Sequence, residues 1–109
     1  MKILLLHLDP AGREALAETI RDDGHDVTAV SAAPSQPFTP DVFVVCLDAA
    51  PQRALDFAAK IGAGAGVAVA SILFVGGPPA ALAEAQRRFP NASFARIDAL
   101  PTALASMES

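Results

Sequence analysis

Four side chains that could carry chemistry lie at the ends of two apolar runs. His7 and Asp9 follow the first run of the chain, and Cys46 and Asp48 close a later one. Imidazole, thiolate and carboxylate groups are ligands that Zn²⁺ prefers, so this set is a candidate metal or thiol site. In a simpler interpretation, Cys46 fills a buried strand, His7 is a hydrogen-bonded strand end and Asp9 caps a helix. We favour the simpler interpretation and predict neither a metal nor a cofactor.

Two glycine-rich segments could approach a ligand closely. The segment Gly62–Gly66 precedes a predicted strand, whereas a dinucleotide-binding loop follows one, so we interpret it as a connector. The amides of Gly76 and Gly77 lie after a strand and before a helix, which suits an anion-binding loop. The next two residues are prolines without an N–H, and no lysine follows, so this is the weaker hypothesis. No serine or histidine is placed by a motif for nucleophilic catalysis, and we predict that the chain is not an enzyme.

The elements that position these residues alternate between strand and helix. Continuous apolar runs predict strands covered on both faces, and proline, aspartate and glycine mark the helix ends. Asp9 and Pro10 begin the first helix and Gly24 ends it; Asp98 caps the last. Strands are predicted over residues 2–7, 25–30, 41–47, 67–75 and 92–97, and helices after 9, 51, 79 and 98, with a loop over 31–39.

This alternation predicts one α/β domain over residues 1–109. Right-handed crossovers give a parallel sheet with helices on both faces, that is, a three-layer doubly wound fold. Only a short proline-containing segment separates Val30 from Pro40, so a helix between the second and third strands is predicted to be missing.

Three stretches of the sequence resemble the receiver domains of bacterial two-component response regulators. They are Ile3–Pro10, Gly24–Val27 and Pro40–Cys46, with Asp-Pro after the first strand and Pro-Asp before the third. The resemblance covers nearly the whole chain in the order of its elements. It implies a five-stranded sheet of order 2-1-3-4-5, with any site at the carboxyl ends of the first and third strands.

Receivers hold Mg²⁺ with an acidic pair after the first strand and accept phosphate on an aspartate at the end of the third. A Thr or Ser after the fourth strand and a Lys-Pro pair after the fifth complete the site. The metal and the lysine offset charge on the phosphoryl group. Here the counterpart positions hold His7 and Leu8, with Asp9 the one acid left beside them, then Cys46, Gly76 and Arg96.

The resemblance therefore implies a degenerate receiver, a signalling or protein-interaction module without the phosphoacceptor machinery. Two alternatives stay open. One is a domain that binds a small ligand, an anion or a metal at the carboxyl edge of the sheet. The other is an atypical phosphoacceptor through Asp48, two residues beyond Cys46.

Charge and composition limit the partners. The net charge of −4 argues against a nucleic-acid surface or an anionic membrane. The stretch Ile61–Ala83 lacks charged residues, but glycines and prolines interrupt it, so we expect a buried strand with flanking loops. The single cysteine and the short N-terminal apolar run favour a cytoplasmic protein, and the resemblance implies a bacterial one. The resemblance implies a protein partner or a homodimer through the last helices and the fifth strand, where Leu100, Leu104 and Met107 share a helical spacing.

Overall fold

The computed structural model describes residues 2–30, 41–48, 50–62, 72–90 and 92–108. Within these residues strands and helices alternate, as the sequence predicts. The strands are β1 (Lys2–Leu6), β2 (Asp26–Val30), β3 (Val42–Cys46), β4 (Ile72–Val75) and β5 (Ser93–Ala95). The helices are α1 (Pro10–Asp22), α2 (Pro51–Gly62), α3 (Pro79–Arg88) and α4 (Leu100–Glu108), and a 3-10 turn (Ile97–Ala99) precedes α4.

The strands form one parallel sheet of order β2-β1-β3-β4-β5, which confirms the predicted fold class and strand order. The central strands β1 and β3 pair with Leu4 opposite Phe43 and Leu6 opposite Val45. Residues 31–40, where a helix is predicted to be missing, and residues 63–71, which include the glycine connector after Gly62 and the predicted start of the fourth strand, lie outside the described residues.

The sheet has an apolar core on each face, which explains why β1 and β3 are apolar without alternation. Successive side chains of a strand point to opposite faces, so Ile3 and Leu5 pack with α1 and α4 while Leu4 and Leu6 pack with α2 and α3. All four of these side chains are fully buried. The result is the three-layer architecture that the alternation predicts.

Most of the predicted helix ends are confirmed. Asp9 is the N-cap of α1, and its carboxylate accepts the N–H of Gly12 at 2.9 Å. Gly24 follows the end of α1 with φ +91°, a backbone conformation that glycine adopts at little cost.

The prediction for Asp98 is wrong. This residue lies inside the 3-10 turn, and α4 begins only at Leu100, so Asp98 is not the cap of that helix. The turn is closed by the N–H of Ala99, which donates to the carbonyl of Arg96 at 3.0 Å. The same turn ends β5 at Ala95, short of the predicted limit at residue 97.

Aromatic contacts fix the edge of the sheet that carries β5. The ring of Phe74 on β4 lies 5.2 Å from that of Phe89 and 5.5 Å from that of Phe94, centroid to centroid. Phe74 is fully buried, so it joins β4, β5 and the end of α3 in one cluster.

No helix within the described residues is long and apolar enough to cross a membrane. The longest of them, α1, has 13 residues, whereas about 20 are needed to span a bilayer.

Candidate functional site

His7 is the buried polar side chain at the carboxyl end of β1. Only 6% of the surface of His7 is exposed. Its backbone N–H donates to the carbonyl of Val30 at 3.1 Å, and its carbonyl accepts from Nη1 of Arg13 at 3.1 Å. Nδ1 accepts the backbone N–H of Asp9 at 3.1 Å, so in the neutral ring the proton is on Nε2.

Burial lowers the pKa of His7 below its ordinary value of 6.5. The negative charges of Asp9 and Asp48 oppose this shift, and the positive charge of Arg13 adds to it. The desolvation of the ring has the largest effect. His7 is therefore a neutral hydrogen-bond donor through Nε2 at neutral pH.

Gly12 makes room for the imidazole. A Cβ atom at this position of α1 would lie 2.6 Å from both Cε1 and Nε2 of His7, and 3.2 Å from Oδ2 of Asp9. Such distances are far below van der Waals contact. Sequence analysis missed Gly12, whose one available signal is a glycine in the first turn of a helix, where alanine is favoured.

Cys46 and Asp48 lie in different environments although only Leu47 separates them. Cys46 is fully buried in the core between the sheet, α1 and α4, whereas Asp48 is exposed at the carboxyl end of β3. The structure therefore exposes the side chain of Asp48, but not the thiol of Cys46, at the edge where His7 and Asp9 lie. Among the described residues, no group of three or more His, Cys, Asp or Glu side chains could hold a metal ion.

The Gly76–Gly77 loop is in contact with the carboxylate of Asp48. Oδ1 of Asp48 accepts the N–H of Gly77 at 2.7 Å, and the N–H of Gly76 donates to the carbonyl of Ala95 at 3.1 Å. Gly76 has φ +68°, and a Cβ there would lie 2.6 Å from Oδ2 of Asp48. Both amides of the predicted anion-binding loop are thus engaged by groups of the chain itself.

Two clefts open along this edge and share Asp48 and Ile97. The first, which we call the His7 cleft, has a volume of about 630 Å³ and is lined by His7, Asp9, Gly12, Leu16 and the two shared residues, among others. The second, the Arg96 cleft, has a volume of about 690 Å³ and is lined by Gly76, Gly77, Phe94, Arg96 and the same two residues, among others. Ile97 is 38% exposed, the one large apolar side chain of the described chain that remains on the surface. The sequence offered no signal for its place between the clefts.

The other receiver counterparts lie apart from the imidazole. Leu8 is partly buried and packs against the core under α2 and α3. The guanidinium of Arg96 is 87% exposed, and its Nε lies 3.4 Å from Oδ1 of Asp98. Such an exposed ion pair contributes little to stability.

Solved receiver domains share this fold. A response regulator from Thermotoga maritima is similar with a TM-score of 0.61 at 11% identity, over 97% of this chain and 95% of that one. A DNA-binding response regulator of the LuxR family from Staphylococcus aureus gives 0.61 at 12% identity, over 99% and 98% of the two chains. A response regulator receiver protein from Burkholderia phymatum gives 0.60 at 13% identity, over 87% and 81%.

These similarities establish a receiver-type fold and nothing finer, since the sequences are so different. No protein-family model matches the sequence, and no curated protein matches it.

Proposed function

We propose that this chain is a non-catalytic, receiver-like signalling module that acts through protein contacts and does not take up phosphate. The observation that carries the proposal is the burial of Cys46. Counted from the Pro-Asp before β3, Cys46 stands at the position of the receiver's phosphoacceptor, and it is 0% exposed within the core. Cys46 has no carboxylate oxygen to accept a phosphoryl group, and its thiol is buried away from any phosphoryl donor.

The charges around the edge support the same conclusion. The carboxylate of Asp9 caps α1 and that of Asp48 holds the Gly77 amide, so each already has an internal role. The cation that lines the Arg96 cleft pairs with Asp98. Phosphoryl transfer is accelerated by cations fixed around the phosphoryl oxygens, and this edge is poor in them.

Treatment with acetyl phosphate and Mg²⁺ tests the proposal by intact-mass spectrometry. We expect no phosphoryl mass on the wild-type protein. Asp48→Asn and the matched variant Asp98→Asn identify the acceptor if mass is gained. A phosphoryl group that is lost in Asp48→Asn and kept in Asp98→Asn would replace this proposal with the phosphoacceptor alternative.

We propose that the signalling module contacts its partner through β5, the 3-10 turn and α4. This surface has the three-residue edge strand β5 and the exposed Ile97 beside it. Exposed apolar area at a strand edge favours association, so we propose a homodimer or a protein partner here. We expect native mass spectrometry to detect a dimer that Ile97→Arg weakens and that Gln52→Arg, on the exposed side of α2, leaves intact. A monomer at every concentration would overturn the homodimer.

The second candidate function is the binding of a small ligand at the carboxyl edge. It is supported by the two clefts, each of a size that accommodates a small molecule. Native mass spectrometry of the untagged protein tests this candidate too, because a co-purified metabolite adds mass to every species.

A further inference from the structure

The His7 cleft combines groups that together select one class of ligand. It has a donor, two carboxylates and an apolar wall on adjoining surfaces. The ligand proposed for this cleft rests on the ligand-binding candidate of the preceding subsection, and it specifies which cleft binds the ligand and which charge the ligand carries.

The donor is Nε2 of His7. The residue is more than nine-tenths buried, and its Nδ1 is engaged by the N–H of Asp9. None of the described residues forms a hydrogen bond with Nε2. Every fully buried side-chain nitrogen or oxygen among these residues has a hydrogen-bond partner, so Nε2 is not one of the fully buried atoms. Nε2 must therefore reach solvent, and His7 lines the cleft, so this N–H is available to an acceptor atom of a ligand.

The carboxylates of Asp9 and Asp48 give the cleft its charge. Both line it, and each accepts one backbone N–H, from Gly12 and Gly77 respectively. A carboxylate accepts several hydrogen bonds, so each retains acceptor capacity. The nearby guanidinium of Arg13 does not line the cleft and is bonded to the carbonyl of His7. The charge that faces a ligand is negative.

The wall of the cleft is apolar. Ala15 and Leu16 of α1 and the exposed Ile97 contribute to it. A ligand with an aliphatic part would cover Ile97 and remove its apolar surface from water.

We propose that the His7 cleft binds a small amphipathic organic cation that carries a hydroxyl or carbonyl oxygen. Its ammonium group faces Asp9 and Asp48, its oxygen accepts from Nε2 of His7, and its aliphatic part lies against Ile97. A divalent metal is a poorer occupant, because the described residues provide no group of three metal ligands.

Four compounds of similar size separate the contributions of the positive charge, the hydroxyl and the alkyl chain to binding. Leucinol has an ammonium group, a hydroxyl and a branched alkyl chain. Isoamylamine lacks the hydroxyl, isoamyl alcohol lacks the charge, and isovalerate has the opposite charge. Two backbone amides report on the carboxylates in ¹⁵N–¹H spectra of the full chain, because the N–H of Gly12 is bonded to Asp9 and that of Gly77 to Asp48.

We expect leucinol to shift both amides with saturation and isoamylamine to do so more weakly. Isoamyl alcohol and isovalerate should have no comparable effect. Asp9→Asn and Asp48→Asn keep an acceptor oxygen but remove a charge, and each should weaken leucinol binding by about threefold to fivefold, as for a partly exposed ion pair.

Two further variants are matched controls. Asp98→Asn removes a charge from the Arg96 cleft alone, and Asp26→Asn removes one from the start of β2, at the opposite edge of the sheet. Both should leave the affinity for leucinol unchanged.

Three results would overturn the inference. They are no shift of either amide with leucinol, equal shifts with isoamyl alcohol or isovalerate, and equal affinity in Asp48→Asn and Asp26→Asn. The phosphoryl-mass experiment has no bearing on this titration, so failure of the signalling proposal and failure of the cation site are distinguishable. Binding of isovalerate alone would retain a ligand site and reverse its charge class.

Discussion

Replacing Gly12 by alanine should destabilise the protein, although the same change in an ordinary helix is stabilising. Alanine is favoured over glycine inside helices by about 1 kcal/mol. Here the added Cβ would lie 2.6 Å from Cε1 and Nε2 of His7, about 1 Å inside van der Waals contact. The ring must move, and the Asp9 N–H bond to its Nδ1, worth about 1 kcal/mol, is strained or lost.

The expected net effect follows from these quantities. Overpacking of a buried site costs about 1–3 kcal/mol. Together with the hydrogen bond this exceeds the gain in helix propensity, so Gly12→Ala should lower the free energy of unfolding by about 2 kcal/mol. Urea denaturation followed by circular dichroism measures it. For a domain of this size the corresponding decrease in Tm is about 4–8 °C per kcal/mol.

A double-mutant cycle tests the cause. In a His7→Ala background the ring is absent, so Gly12→Ala should become neutral or stabilising, with a coupling energy of about 2 kcal/mol. Gly24→Ala is the control, because Gly24 has φ +91° and no atom within 4 Å of an added Cβ. Its cost arises from the backbone and should be equal in both backgrounds. Stabilisation by Gly12→Ala in the wild-type background would refute the reasoning.

Three further changes test the edge of the sheet. Gly76→Ala should lower the free energy of unfolding by about 1–2 kcal/mol because of the φ of +68° at this position, and by more while the Asp48 carboxyl is present. Equal shifts of the urea midpoint in the wild-type and Asp48→Ala backgrounds would contradict the contact between Gly76 and Asp48. Asp9→Ala should cost about 1 kcal/mol in thermal denaturation and Asp9→Asn only a few tenths, because asparagine also caps helices; equal losses would argue against the cap. Burial lowers the pKa of His7 in the folded state, so the unfolded chain binds the proton more readily. The contribution of His7 to stability is therefore fully present above pH 6.5, its ordinary pKa. This contribution is lost as the pH falls below 6.5 towards the pKa of the folded state. The urea midpoint of the wild type minus that of His7→Asn should therefore decrease over that window, and a constant difference would contradict this assignment.

The fold could be predicted because the signals for it are local. The unbroken apolar runs Ile3–Leu6 and Val42–Val45 predict strands buried on both faces, and these strands are adjacent in the interior of the sheet. Asp9 and Gly24 predict the ends of α1 for reasons that lie in a few adjacent residues. The error at Asp98 arises because the local signal is ambiguous, since an aspartate before an apolar helix suits a cap as well as a preceding 3-10 turn.

The site could be predicted only in part. The order of the elements brings His7, Asp9 and Asp48 to one edge, because parallel strands end on the same side of the sheet. The roles of Gly12 and Ile97 depend on where an imidazole ring and a 3-10 turn come to lie in space. No spacing in the sequence encodes those distances.

The carboxylates of this edge give the reason for proposing a monovalent organic cation rather than Mg²⁺ or a phosphoryl group as the ligand. Mg²⁺ requires about six oxygen ligands in octahedral order, and a phosphoryl group requires cations around it. Asp9 and Asp48 each accept one backbone N–H of the chain, which fixes their orientation. An ammonium group needs only a few acceptors at relaxed geometry, and the remaining oxygen lone pairs of two oriented carboxylates provide them. The bonds from the N–H groups of Gly12 and Gly77 therefore hold the two carboxylates of the proposed cation site in shape.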